Sequence, residues 1–141
     1  MAKMSPFLRF NDGKCREAMN FYKDALGGEL EFMPIGESPM AKDMPKEKHG
    51  LIMHSTLTKG DWVLIGSDMM RDKAVIGDSV GVLLDCESEK EIKDLFSKLS
   101  AGGEVFMAPE EQFWGAIFGM CTDKYGIEWM FNYNFKIPPT K

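Results

Sequence analysis

An internal repeat constrains this chain more than any other feature of its sequence. An offset of 75 residues carries Gly27-Gly28-Glu29 onto Gly102-Gly103-Glu104, Leu8 onto Leu83, and Phe21 onto Phe96. One matching glycine pair could be coincidence. A glycine pair that recurs with the helical stripe before it and the hairpin after it is a structural repeat. No linker rich in Pro, Gly or Ser separates the two copies. The chain therefore has to build the same small unit twice.

Each copy reads as βαβββ. In the first, Ser5 to Phe10 predicts a strand, and Asn11-Asp12-Gly13 supplies turn and capping chemistry. Ala18, Phe21, Tyr22, Ala25 and Leu26 fall on one stripe of a helix over 14–26. Gly27-Gly28 ends it, because glycine takes left-handed backbone without a Cβ clash. Residues 29–35, 49–58 and 61–67 predict strands, the last two joined at Lys59-Gly60, with loops over 36–48 and 68–78. In the second copy, 79–85 predicts a strand and Ser88-Glu89-Lys90-Glu91 a capping box. Ile92, Leu95, Phe96 and Leu99 then mark a helix ending near Ala101. Glu104 to Met107 starts the next strand, Pro109 to Phe113 reads as a loop, and 115–122 and 127–133 are the last two strands. Between these two, Asp123-Lys124-Tyr125-Gly126 reads as a turn in which Asp123 bonds its own backbone and Gly126 takes positive φ.

Composition narrows the function classes. A net charge of −5 and a pI near 5.1 leave no basic surplus to displace counterions from a nucleic acid or to hold an anionic membrane. Apolar runs such as Trp62-Val63-Leu64-Ile65 are too short to span a bilayer. The first residues, Met1-Ala2-Lys3-Met4-Ser5-Pro6, hold no apolar signal core, so a cytoplasmic location is expected. Cys15, Cys86 and Cys121 lie far apart and read as packed, reduced thiols. No phosphate loop, serine elbow or cysteine–histidine signature is present.

Three stretches carry a family resemblance. They are Phe10-Asn11-Asp12-Gly13-Lys14-Cys15-Arg16-Glu17-Ala18-Met19-Asn20-Phe21-Tyr22, then Ile52-Met53-His54-Ser55, then Phe113-Trp114-Gly115-Ala116-Ile117-Phe118-Gly119-Met120 with Thr122 to Met130 behind it. With the tandem βαβββ order, they resemble the PhnB-like branch of the vicinal oxygen chelate superfamily. That superfamily includes glyoxalase I, extradiol dioxygenases and bleomycin-resistance proteins. The resemblance implies an α+β fold: one domain over 1–141, with modules at about 5–67 and 79–133 curling a mixed sheet into a cup, helices outside. It also implies a homodimer and a small-molecule ligand. It does not imply one function, because relatives isomerise, cleave rings, add thiols or only bind drugs. A 3-demethylubiquinone methyltransferase-like label is common in the branch. No glycine-rich nucleotide loop follows a strand here, so methyl transfer is not expected and no cofactor is assigned.

Metal-dependent relatives place His and Glu ligands on the first and last strands of each module. Here Ser5 to Phe10, Trp62 to Gly66 and Ser79 to Leu84 offer none, and only Glu128 remains on the fourth strand. Met130 stands where the superfamily glutamate is usual, and Glu128 shares its strand parity. One carboxylate does not hold a divalent ion, so no metal site is expected. A site with displaced ligands such as His54 and Glu128 is the alternative. In its strand, His54 shares one face with Ile52, Thr56 and Thr58, while Leu51, Met53 and Leu57 share the other, which should meet the helix. His54 is thus a candidate ligand partner or general base. Glu111 is a second candidate acid or base, in a loop that Trp114 would complete as an apolar wall. Phe118, Glu128 and Met130 are further ligand-binding candidates. His49 reads as a solvated strand start, and Lys42 to Lys48 as a flexible loop able to close as a lid. The expected activity is binding of a small, partly apolar molecule, with metal-free catalysis or sequestration as its two variants.

Overall fold

A computed structural model describes residues 1–135. Each copy of the repeat forms a four-stranded sheet with one helix. The first contains β1 (Phe7–Phe10), α1 (Cys15–Leu26), β2 (Glu29–Pro34), β3 (Ile52–Lys59) and β4 (Trp62–Asp68). The second contains β5 (Val82–Cys86), α2 (Glu89–Ser100), β6 (Glu104–Gln112), β7 (Ala116–Thr122) and β8 (Glu128–Asn134). The strand orders are β1-β4-β3-β2 and β5-β8-β7-β6. In each sheet the first strand runs parallel to the last, and the other pairs are antiparallel. The chain divides into two compact units, Met1–Val75 and Ile76–Lys141.

In the first unit α1 buries Cys15, Ala18, Met19, Tyr22, Ala25 and Leu26. Leu8 and Phe10 of β1 and Ser55 and Leu57 of β3 are buried too, with the Phe10 and Tyr22 rings 6.3 Å apart. Burying each large apolar side chain stabilises by about 1.5–3 kcal/mol. Gly66 leaves room for α1, since a Cβ there would sit 2.7 Å from the Met19 sulfur. In the second unit Ile92, Phe96 and Leu99 of α2 are buried, and Phe96 meets Phe131 edge-on at 5.2 Å.

The helix starts differ from each other. Ser88 accepts from the Glu91 N–H at 3.0 Å, as the capping box requires. The Glu91 carboxylate, however, takes the N–H of Glu87 at 2.8 Å, one residue earlier than expected. Asn11 does not cap α1. Its amide bonds Ala74 in both directions, at 2.8 and 3.1 Å. The helix start is held instead from the end of β4. The buried Asp68 carboxylate accepts the N–H groups of Cys15, at 2.9 Å, and Ile52, at 2.8 Å.

Several sequence expectations are corrected. The first strand begins at Phe7 and the fifth at Val82, each later than read. Residues 109–112 are not a loop but the end of β6, which continues through two register shifts, Val105/Met107 and Met107/Glu110. The bulges take up Pro109, so a proline inside the run does not end the strand. His49 is no solvated strand start, because its Nε2 lies 2.9 Å from the Ala41 carbonyl and 3.0 Å from that of Met44. Residues 36–48 accordingly form three short 3-10 turns rather than a loose loop. Ile52 leaves the mixed face and is fully buried, because the β2–β3 register slips at Met33/Pro34.

Candidate functional site

Each sheet has one face against its helix and one face that the helix does not cover. In the first unit strand alternation puts Phe7 and Arg9 of β1, His54, Thr56 and Thr58 of β3, and Glu31 and Met33 of β2 on the uncovered face. The register sets their rows. Phe7 pairs with Ile65, and Ile65 with Thr56. Arg9 pairs with Ser67, and Met33 with His54. Phe7 is 50% exposed. The Arg9 guanidinium lies 5.7 Å from the centre of its ring, and the His54 ring 6.5 Å. Both Arg9 and His54 are exposed.

In the second unit the same alternation gathers three of the sequence candidates. Met130 pairs with Met120, Glu128 with Thr122, and Phe118 with Glu110. Phe118, Glu128 and Met130 are half-buried on the face opposite α2, beside Leu83, which is 52% exposed. The Glu128 carboxylate accepts a long bond, 3.5 Å, from the Thr122 hydroxyl. Glu111 stands apart from this set. It pairs with Ile117 and so has the opposite parity, while Glu110 shares the face of Phe118. Trp114 occupies the three-residue turn between β6 and β7, 52% exposed, with Phe113 against it edge-on at 5.0 Å. Gly115 closes that turn at φ 91°, a left-handed position that suits glycine.

Among the described residues no group of three or more His, Cys, Asp or Glu side chains is placed to hold an ion. The residues present do not fit the superfamily's metal. All three cysteines are buried. Burial pushes the Cys15 and Cys121 thiols up to about 12 and that of Cys86 up to about 11. Such thiols stay protonated near neutral pH and are poor nucleophiles. Among the described residues no helix is long and apolar enough to cross a membrane.

Sequence reasoning missed Arg9 and Phe7. The first strand holds no metal ligand, and its cation carries no motif that marks it. Alternation alone could have found them, since the apolar Leu8 and Phe10 point one way and leave Phe7 and Arg9 the other.

A family model described as 3-demethylubiquinone-9 3-methyltransferase matches residues 2–131. Protein YjdN of Escherichia coli (strain K12) is 33% identical over 138 residues, covering 92% of this chain and 93% of that protein. The chain belongs to this family. Solved structures agree. Protein PA1353 from Pseudomonas aeruginosa superposes with a TM-score of 0.85 at 37% identity, covering 95% of this chain and 98% of that one. A putative 3-demethylubiquinone-9 3-methyltransferase, the PhnB protein of Bacillus cereus, gives 0.74 at 29%, covering 94% and 99%. A glyoxalase-related enzyme from Fulvimarina pelagi, at 16% identity and a TM-score of 0.63 over 99% and 93%, shares the fold. The fold class is thus α+β with tandem βαβββ units, as in these structures.

Proposed function

We propose that this PhnB-like protein binds a small, partly apolar, oxygen-bearing molecule on the helix-free side of its sheets, without a metal ion. One observation carries the reading. Large apolar groups stay uncovered there, Phe7 and Met33 on the first sheet and Leu83 on the second, next to polar groups such as His54 and Glu128. A sheet face that mixes exposed apolar and polar side chains is suited to a ligand that does the same. His54 is the group best placed for proton transfer should the bound molecule react. Glu111, on the opposite parity from Phe118, is a weaker candidate than Glu110.

The same reading includes a homodimer, expected from the family resemblance. Its support is β6, an edge strand with Val105 54%, Phe106 62% and Met107 38% exposed, continued by Phe113 at 97%. Open apolar edges are usually covered, and a two-fold dimer is the commonest way.

The test is a thermal-shift screen of small carboxylates, phenols and ketones, followed by calorimetry of each hit on parent, His54→Ala and Trp114→Ala. Loss of affinity in either variant, with the melting point held, supports the reading. Equal affinity of every hit for all three proteins defeats it for these residues.

A further inference from the structure

We propose that the uncovered face of the first sheet is a site for small organic anions, in which Arg9 and His54 take the negative group and Phe7 the apolar body. This deepens the reading above and rests on it.

Arg9 is the cation that β1 presents on this face. Among the described residues no carboxylate is paired with it. It lies instead beside the Phe7 ring at 5.7 Å. The His54 ring likewise has no hydrogen-bond partner among the described residues and lies 6.5 Å from that of Phe7. The sheet register explains why the two groups share a neighbourhood. Arg9 sits against Ser67 of β4, and the β3–β4 register, with Ser55 against Gly66, brings His54 alongside Ser67 from the other side. The side chains therefore rise from one cross-sheet row, with Phe7 in the next.

The charges on this face are separated. Glu29 and Glu31 belong to β2, at the far edge of the sheet from β1. They are too remote in strand order to neutralise Arg9, and they would repel an anion bound on their side. A negative ligand is therefore directed to the β1 half. In a chain with net charge −5, a guanidinium left unpaired beside an exposed aromatic ring is complementary to an anion with a flat or apolar body. The planar guanidinium presents two parallel N–H groups, which suit a carboxylate or phosphonate. Imidazole offers an N–H in either protonation state. Ile65 and Met33 extend the apolar floor beyond Phe7.

Benzoate and phenylphosphonate serve as anionic probes, and benzyl alcohol as the neutral one of similar shape. The full chain, labelled with 15N and 13C, is titrated with each while the Arg9 side-chain N–H and the His54 ring C–H signals are followed. The expected result is a saturable shift of both signals by the two anions, and binding of benzyl alcohol at least about tenfold weaker. Arg9→Ala should weaken benzoate about ten- to hundredfold, the usual range for a hydrogen bond to a charged group. Arg9→Lys should recover only part of this, because it keeps the charge but not the fork. Lys23→Ala, on exposed α1, should change nothing. Equal benzoate affinity in parent, Arg9→Ala and His54→Gln overturns the proposal, as does the absence of any shift with all three probes. If benzyl alcohol shifts the Phe7 and Ile65 signals as strongly as benzoate, the anion site falls while the ligand face of the proposed function stands.

Discussion

Asp123 offers the sharpest test of how the second unit is held. It is 3% exposed, and its carboxylate is fully used. Oδ1 accepts the N–H groups of Tyr125, at 2.8 Å, and Ile127, at 3.0 Å, which ties the β7–β8 turn. Oδ2 accepts the indole N–H of Trp129 at 2.8 Å, and Trp129 is only 1% exposed. Asp123→Asn keeps one oxygen for the turn but sets an NH₂ against the indole N–H. A buried donor left unsatisfied costs about 1–3 kcal/mol. Asp123→Ala also frees two turn N–H groups, which water can partly reach, and should cost roughly 3–5 kcal/mol, a large share of a typical 5–15 kcal/mol total. Urea unfolding followed by near-ultraviolet circular dichroism measures both. Trp129→Phe in the Asp123→Asn background isolates the indole bond, with an expected coupling of about 1–2 kcal/mol. If Asp123→Asn stays within about 0.5 kcal/mol of the parent, the level of a neutral surface change, the carboxylate is not the keystone of the turn.

Other outcomes follow from the same geometry. Gly103→Ala should destabilise strongly, because a Cβ there would clash with the Thr122 carbonyl, whereas Gly50→Ala, with open space around it, should be near neutral by thermal melting. Native protein should react negligibly with a thiol reagent at pH 8 and release all three thiols in denaturant; two fast-reacting native thiols would contradict the burial. For the same thiols the folded pKa lies above the unfolded value of 9.0, so folded protein holds more protons between them. Stability is then constant below about pH 9 and falls as pH rises toward 11–12, and Cys121→Ala should flatten part of that fall in alkaline melts. Sedimentation should show a dimer for the parent and a shift toward a 15.9 kDa monomer for Phe106→Lys; a parent that is monomeric at micromolar concentration would remove the edge-strand argument.

The fold was legible because its signals are local and repeated. The stripe that ends at Gly27-Gly28 and the one that ends at Gly102-Gly103 each specify a helix. A Cβ at Gly28 would meet the Thr58 carbonyl at 2.6 Å, so the glycine pair also records how closely the end of β3 passes. What escaped was set by contacts distant in sequence. Asp68 caps α1 across 53 residues, and no reading of Asn11 to Gly13 could supply that partner. His49 looked solvated because the carbonyls it bridges belong to backbone, which leaves no trace in residue type.

The candidate site was legible to the extent that strand parity could be counted without interruption. β8 has no bulge, so Glu128 and Met130 were placed on one face correctly by counting alone. β3 is regular from His54 onward, and His54, Thr56 and Thr58 stayed together while Ile52, before the slip in register, did not. β6 holds two bulges of one extra residue each, so the count is reversed between them and restored after the second. Glu110 shares the face of Phe118, and Glu111 has the opposite parity. The same rule exposes Arg9. β1 is four residues long and regular, so its parity is certain once Leu8 and Phe10 are seen to be buried. A parity count therefore ranks the candidates by how many bulges lie between them and a residue of known burial. By that measure Arg9 and His54 are the pair on which mutagenesis should begin.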